Sequence, residues 1–359
     1  WSIYNDFDQY SSAQNEGGQL NGGQAWYRTH FYLEEDASLV SVRLLFDGIY
    51  MNAQVYINGQ VLGYYPNGYT PFSYDITPYL RNDGMTNQLA VFVENQQPSS
   101  RWYSGSGIYR EVKLLITDAV HLDLYGIKIA SPKLKEQRDR WVETQLTSKV
   151  SNDGPQSVSV YLEQSIWYDG QQLSDWQATD SLVIESGDKY SFQQAISIFQ
   201  PLLWDIESPH LYQLKTRLYK NGILVDEEEE TFGYRYMDWQ ADKGFFLNGR
   251  WLKIHGVCLH HDYGALGAVE NRSAAERRLR QMKEMGVNAI RITHNPASSI
   301  LLDVAAKMGL LIQEEAFDTW YGGKKEYDYG RFFEEDATHP EAKTGDFWSD
   351  YDLRTMIER

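Results

Sequence analysis

Three polar clusters each follow an apolar run, and each carries side chains able to bind or move protons. His260-His261-Asp262 comes first, then His294-Asn295-Pro296, then Glu314-Glu315-Ala316-Phe317-Asp318-Thr319-Trp320. Imidazoles and carboxylates in such numbers could ligate a metal, hold ligand hydroxyls, or act as an acid and base. A zinc or non-haem metal needs several ligands converging on one point. His260 and His261 diverge if the chain is extended there, and no helical His-x-x-x-His pair occurs, which argues against a metal. Two carboxylates among Asp262, Glu315 and Asp318 could hydrolyse a glycosidic bond. Acids in such places more often bind hydroxyls or order their neighbours.

The elements before these clusters decide whether they meet. Residues 251–257 read as a buried strand leading to the first cluster. Ser273-Ala274-Ala275-Glu276 has the form of a capping box opening a helix through Met285, with Gly286 as its stop. Residues 287–292 form a second strand, 298–308 a second helix ending at Gly309, and 310–313 a third strand. Repeated β-α-β with apolar strands predicts a parallel sheet. In a parallel α/β barrel the C-terminal strand ends share one mouth, so all three clusters should converge. Three strands are too few for a barrel. Residues 352–359 look like a further helix opening, and the α/β domain reads as unfinished.

Upstream the period changes from 3.6 to 2. Residues 26–33, 42–48, 53–57, 61–65, 89–93 and 112–116 read as short strands, with Asn58-Gly59 as a two-residue hairpin turn. Residues 158–162 and 212–219 alternate similarly, with Asn221-Gly222 as another turn. The plan is an all-β jelly-roll sandwich (1–117), an immunoglobulin-like β-sandwich (118–232), then the first part of a (β/α)8 TIM barrel (233–359). The run Glu227 to Glu230 cannot gather on one ion, because successive strand residues face opposite ways. It reads as a solvated edge strand.

Composition narrows the ligand class. The 359 residues carry 33 basic and 50 acidic side chains, a net charge of −17. Such a surface repels phosphate backbones, so nucleic acid is not an expected partner. No apolar run has the length of a membrane-spanning helix. The single cysteine, Cys258, excludes an internal disulfide and reads as a small core residue. There are 26 Tyr, 14 Phe and 11 Trp; such rings suit the C–H faces of sugars, though large β-sandwiches also bury many.

Several segments are similar to glycoside hydrolase family 2, in order along the whole chain. Leu252-Lys253-Ile254-His255-Gly256-Val257, running into His260-His261-Asp262 and Gly264-Ala265-Leu266-Gly267, resembles the start of its barrel. Met282-Lys283-Glu284-Met285-Gly286-Val287-Asn288-Ala289-Ile290-Arg291, with Thr293-His294-Asn295-Pro296, resembles the second strand. Residues 314–320 fit the third strand of its β-galactosidase branch. Ser100-Arg101-Trp102-Tyr103-Ser104-Gly105-Ser106-Gly107-Ile108-Tyr109-Arg110 resembles the signature of its sugar-binding domain, and Trp204 to Tyr212 its sandwich domain. The chain also resembles large cell-surface β-galactosidases of Gram-positive cocci.

The resemblance implies a retaining hydrolase that removes terminal β-D-galactosyl residues from oligosaccharides or glycans. β-Glucuronidase and β-mannosidase share the architecture, and a non-catalytic carbohydrate-binding module is the reading from another class. The family's acid/base Glu follows an Asn at the fourth barrel strand, and no Asn-Glu pair occurs after Trp320. The catalytic pair is therefore expected beyond Arg359, and this chain alone is expected to be inactive. Substrate-binding roles carry over to His260, His261, Asp262, His294, Asn295, Asp318 and Trp320, with Arg101 and Trp102 reaching in from the first domain. No cofactor is implied; some members hold magnesium after the third strand, but Thr319 and Tyr321 stand where those keep Glu and His. A β-galactoside glycan is the implied partner, and a cell-surface or extracellular setting is implied, with a cytoplasmic one left open. The unfinished sheet is expected to be covered by the rest of the same protein or by a second copy.

Overall fold

The computed structural model describes residues 22–34, 40–81, 85–101, 105–316, 324–328 and 353–357. The first sandwich pairs Gly23–Phe31, Asn87–Asn95, Ala53–Ile57 and Gln60–Tyr65 in one antiparallel sheet. Phe72–Asp75, Val40–Phe46 and Val112–Asp118 form the opposing sheet. Alternation places Leu89, Val91 and Val93 inward against Val42, Leu44 and Phe46. At the predicted hairpin, Asn58 and Gly59 both take positive φ, 50° and 83°, matching the twist of the flanking strands.

The second sandwich packs Val120–Ala130, Trp141–Asn152 and Lys189–Phe199 against a sheet built on Val158–Tyr168, Tyr212–Lys220 and Ile223–Phe232. Leu146, Leu162, Ile166, Leu214 and Leu218 are almost wholly excluded from water, each stabilising by roughly 1.5–3 kcal/mol. Ile223–Phe232 is indeed an edge strand, but the acid run is not uniformly solvated. Glu227 and Glu229 point outward, and Glu227 accepts from Arg217 Nε at 2.7 Å. Glu228 and Glu230 sit on the core side, opposite buried Thr216 and Leu214, and are half-buried. Inward acids on an edge strand discourage pairing with a second chain.

Beyond a small antiparallel meander (Met237–Gln240, Gly244–Leu247, Arg250–Trp251) comes the parallel sheet, Gly256–Leu259, Ala289–Ile292 and Leu311–Gln313 in sequence order. The expected continuous strand over 251–257 is corrected. Its first residues close the meander, residues 252–255 are not strand, and only Leu252 of residues 251–257 is buried. The helix expected to be capped at Ser273 is Arg272–Glu284, and its cap is Asn271, whose side chain accepts from Ala274 N at 2.8 Å. The Asn side chain makes the same bond two residues earlier. Ser299–Met308 matches its expectation, with Ser298 as N-cap and Gly309 left-handed at φ 71°.

Register fixes two faces. Val257, Ile290 and Ile312, with Leu259 and Ile292, pack with both helices. On the other face Ala289 and Leu311 share a cluster with Phe245, Leu247 and Leu252. Further along it, Cys258, Arg291 and Gln313 lie side by side. Cys258 is exposed, not the core residue that its apolar neighbours suggest; period-2 alternation turns it away from the helices.

Both sandwiches grip this sheet. Trp204 Nε1 donates to Ala306 O at 2.8 Å. A Cβ on Gly309 would lie 2.4 Å from Ile206 O, so close approach as well as left-handed φ demands glycine. From the first sandwich, half-buried Arg110 donates to Tyr69 O at 2.7 Å and Pro296 O at 3.3 Å.

Candidate functional site

The C-terminal ends of the parallel strands do converge, but not with every polar residue facing the same way. His260 follows the first strand and is exposed. Its ring meets that of His294 edge-on, with centroids 5.8 Å apart. His294 follows the second strand, through a cis Thr293–His294 peptide. Its Nδ1 lies 2.7 Å from Glu315 Oε2, and Glu315 Oε1 accepts from Arg291 Nε at 2.6 Å. Glu315 stands just beyond the third strand, so adjacent strand ends supply the carboxylate and both of its partners.

Electrostatics give these groups distinct roles. Burial alone would raise the Glu315 carboxyl, but hydrogen bonds from Arg291 and His294 outweigh it and hold the group below the usual range. His260 is pushed below the ordinary imidazole range, first by the partial desolvation of its ring, then by the charges of His294 and Arg101. A neutral His260 can donate from one nitrogen and accept at the other. With Nδ1 of His294 engaged by Glu315, its Nε2 is the nitrogen left to meet a ligand. Together they form a compact set of donors and acceptors suited to hydroxyl groups.

The neighbouring candidates face elsewhere. His261 is buried, its Nε2 3.2 Å from Asn295 O and its ring 4.6 Å from that of Tyr69 in the first sandwich. Asn295 is buried beside it. Both belong to the seam between domains, since alternation sends His261 opposite to His260. Asp262 is exposed and closes a turn, accepting from Gly264 N at 2.8 Å. Arg101 is buried close enough to act on His260, and its Nη1 donates to Ser100 O at 3.1 Å. Trp102, Asp318 and Trp320, with Thr319 and Tyr321, lie outside the described residues. Among the described residues, no group of three or more His, Cys, Asp or Glu side chains is placed to hold a metal.

Three residues of the assembly escape a reading by strand-end motif. Glu315 stands in the third cluster, but only as one of several possible hydrolytic carboxylates. Arg291 is signalled by a charge inside the run Ala289-Ile290-Arg291-Ile292. Asp328, buried between the first sandwich and the loop after the third strand, has no local signal.

Comparison with known proteins agrees with this architecture. Residues 3–118 match the family model "Glycosyl hydrolases family 2, sugar binding domain", residues 127–235 "Glycosyl hydrolases family 2", and residues 240–344 "Glycosyl hydrolases family 2, TIM barrel domain". Beta-galactosidase BoGH2A of Bacteroides ovatus is 40% identical over 361 residues, aligning with 100% of this chain and 40% of its own length. A putative beta-glucuronidase of Formosa agariphila is 32% identical over 338 residues, aligning with 92% of this chain and 31% of its own. Among solved structures, a glycosyl hydrolase family 2 member from Bacteroides cellulosilyticus superposes with a TM-score of 0.90 at 34% identity, over 100% of this chain and 45% of that one. Beta-glucuronidase of Bacteroides uniformis does so with 0.78 at 29%, over 94% and 39%. The chain thus spans less than half the length of these relatives.

Proposed function

Because this chain belongs to glycosyl hydrolase family 2, we propose that it is the N-terminal part of a retaining glycosidase that removes terminal β-D-galactosyl residues from oligosaccharides or glycans. The observation that carries the reading is the His260–His294–Glu315 assembly at the mouth of the parallel sheet. We place the domain limits at residues 1–117, 118–232 and 233–359.

In this mechanism the chain's own residues bind and orient. His294 Nε2 and His260 meet sugar hydroxyls, Glu315 fixes His294, and Arg101 closes the mouth from the first sandwich. Asp318, Trp320 and Trp102 are proposed to line the same mouth. Retention requires two carboxyl groups about 5–5.5 Å apart, supplied by later barrel strands of the whole protein. This chain alone is expected to bind sugar and not to cleave it.

A β-glucuronidase is the second reading, favoured by the relatives so named and by the Arg101 cation beside His260. A nitrophenyl-glycoside panel on the whole gene product separates the two. Galactoside hydrolysis should exceed glucuronide hydrolysis by roughly 100-fold, about 2.7 kcal/mol of transition-state discrimination. The reverse preference overturns the galactosidase reading.

A further inference from the structure

Asp328 is only 2% exposed and lies against the first sandwich, 228 positions from Ser100 in sequence. Its carboxylate accepts from Ser100 N and Ser100 Oγ, both at 2.7 Å, and from Ser99 Oγ at 3.2 Å. Lys324 N and Lys325 N each donate to it at 3.0 Å. Tyr327 N also reaches Pro98 O, at 3.4 Å. Five donors on one carboxylate offset the cost of burying it.

The contacts run on toward the mouth. Ser100 Oγ donates to Asp328 and accepts from Arg101 Nη1 at 3.2 Å, a use of the hydroxyl that its single hydrogen allows. Arg101 in turn lies near enough to His260 for its charge to act on that ring. A carboxylate, a hydroxyl and a guanidinium thus form one chain from the loop after the third strand to the mouth.

We propose that Asp328 is a positioning residue: by fixing Ser100 it holds the Arg101 guanidinium beside His260, so that the first sandwich supplies part of the ligand-binding mouth. A simple staple between domains would need the contacts to Ser99 and Ser100, but not the onward bond to Arg101. The assignment of the mouth as a sugar site is the reading given above; the Asp328–Ser100–Arg101 chain is tested without it.

The test follows the ring titration of His260 by NMR in the 359-residue chain. Arg101→Gln removes the nearby cation, and His260 should then titrate higher. Asp328→Asn and Ser100→Ala should move it in the same direction but by less, because Arg101 Nη1 keeps its 3.1 Å bond to Ser100 O. Ser100→Ala leaves the Asp328 contacts to Ser99, Lys324 and Lys325 intact, so it answers even if Asp328→Asn does not fold. A His260 midpoint unmoved by Ser100→Ala while Arg101→Gln moves it overturns the proposal, as does one unmoved by Arg101→Gln. Calorimetry with galactose on wild type and His294→Ala tests the sugar reading separately, and its failure leaves the titration result standing.

Discussion

Glu315 holds two partners at the end of the second strand at once, His294 Nδ1 at 2.7 Å and Arg291 Nε at 2.6 Å. One side chain thereby sets both the orientation of His294 and which of its ring nitrogens is left for a ligand. Glu315→Gln preserves the volume and removes the charge. In the whole gene product it should lower kcat/KM for a galactoside by roughly 10- to 100-fold, or 1.4–2.7 kcal/mol. The melting temperature of the chain should hardly move, because the group is partly exposed. Its carboxyl is depressed in the fold, so its contribution is present above the ordinary carboxylate range and is lost as pH falls through the depressed value. Ligand binding by Glu315→Gln should lack that acid limb.

Glu228 behaves oppositely. Burial, then repulsion from Asp226, Glu230 and Asp123, pushes its carboxyl up to about 7. A raised acid favours the fold while protonated, so stability of the second sandwich should decline as pH rises from the ordinary glutamate range through 7. Beyond that the decline should level off. Glu228→Gln should remove the decline and stabilise the chain at pH 8 by about 1–2 kcal/mol. Urea midpoints at pH 5 and pH 8 decide it.

Legibility from sequence follows the range of the physics involved. Asn58-Gly59 and the Ser298 to Gly309 helix obey rules that act within a few residues, and the structure has both. Asn271 and Ser273 are both competent caps, so choosing between them depended on which residue leaves the helix. Cys258 and residues 251–257 were misread because an apolar run does not reveal which face will be covered. The split of His260 from His261 follows from alternation alone. Asp328 was invisible because every partner that gives it meaning is a contact made by folding.

Ser298 caps a helix and serves a second group at once. Its hydroxyl accepts from Leu301 N at 3.1 Å and donates to Glu270. Glu270 also accepts from Tyr263, and burial raises its carboxyl above the usual range. Ser298→Ala should cost about 2 kcal/mol, more than Asn271→Ala at about 1, because a buried acceptor also loses a donor. Paired denaturation curves compare them.

Cys258 on the open face gives a simple chemical check. A thiol reagent should label the native 359-residue chain at near stoichiometry without denaturant. In the whole gene product, later barrel strands should shield the same thiol and slow labelling at least about tenfold. Mass spectrometry of the labelled peptide reports both.

The bonds of Trp204 and Arg110 to the α/β region, and of Asp328 to the first sandwich, bear on how a longer chain is made. Both sandwiches precede the sheet, so a ribosome releases them first, and domains tend to fold in that order. The three strands would therefore emerge onto finished partners. A next strand could then add to the outer edge of Leu311–Gln313, which pairs with no further strand among the described residues, and each later one to the strand before it. Order of synthesis and order of assembly would coincide, and the sandwiches would serve as the mould in which the barrel is cast.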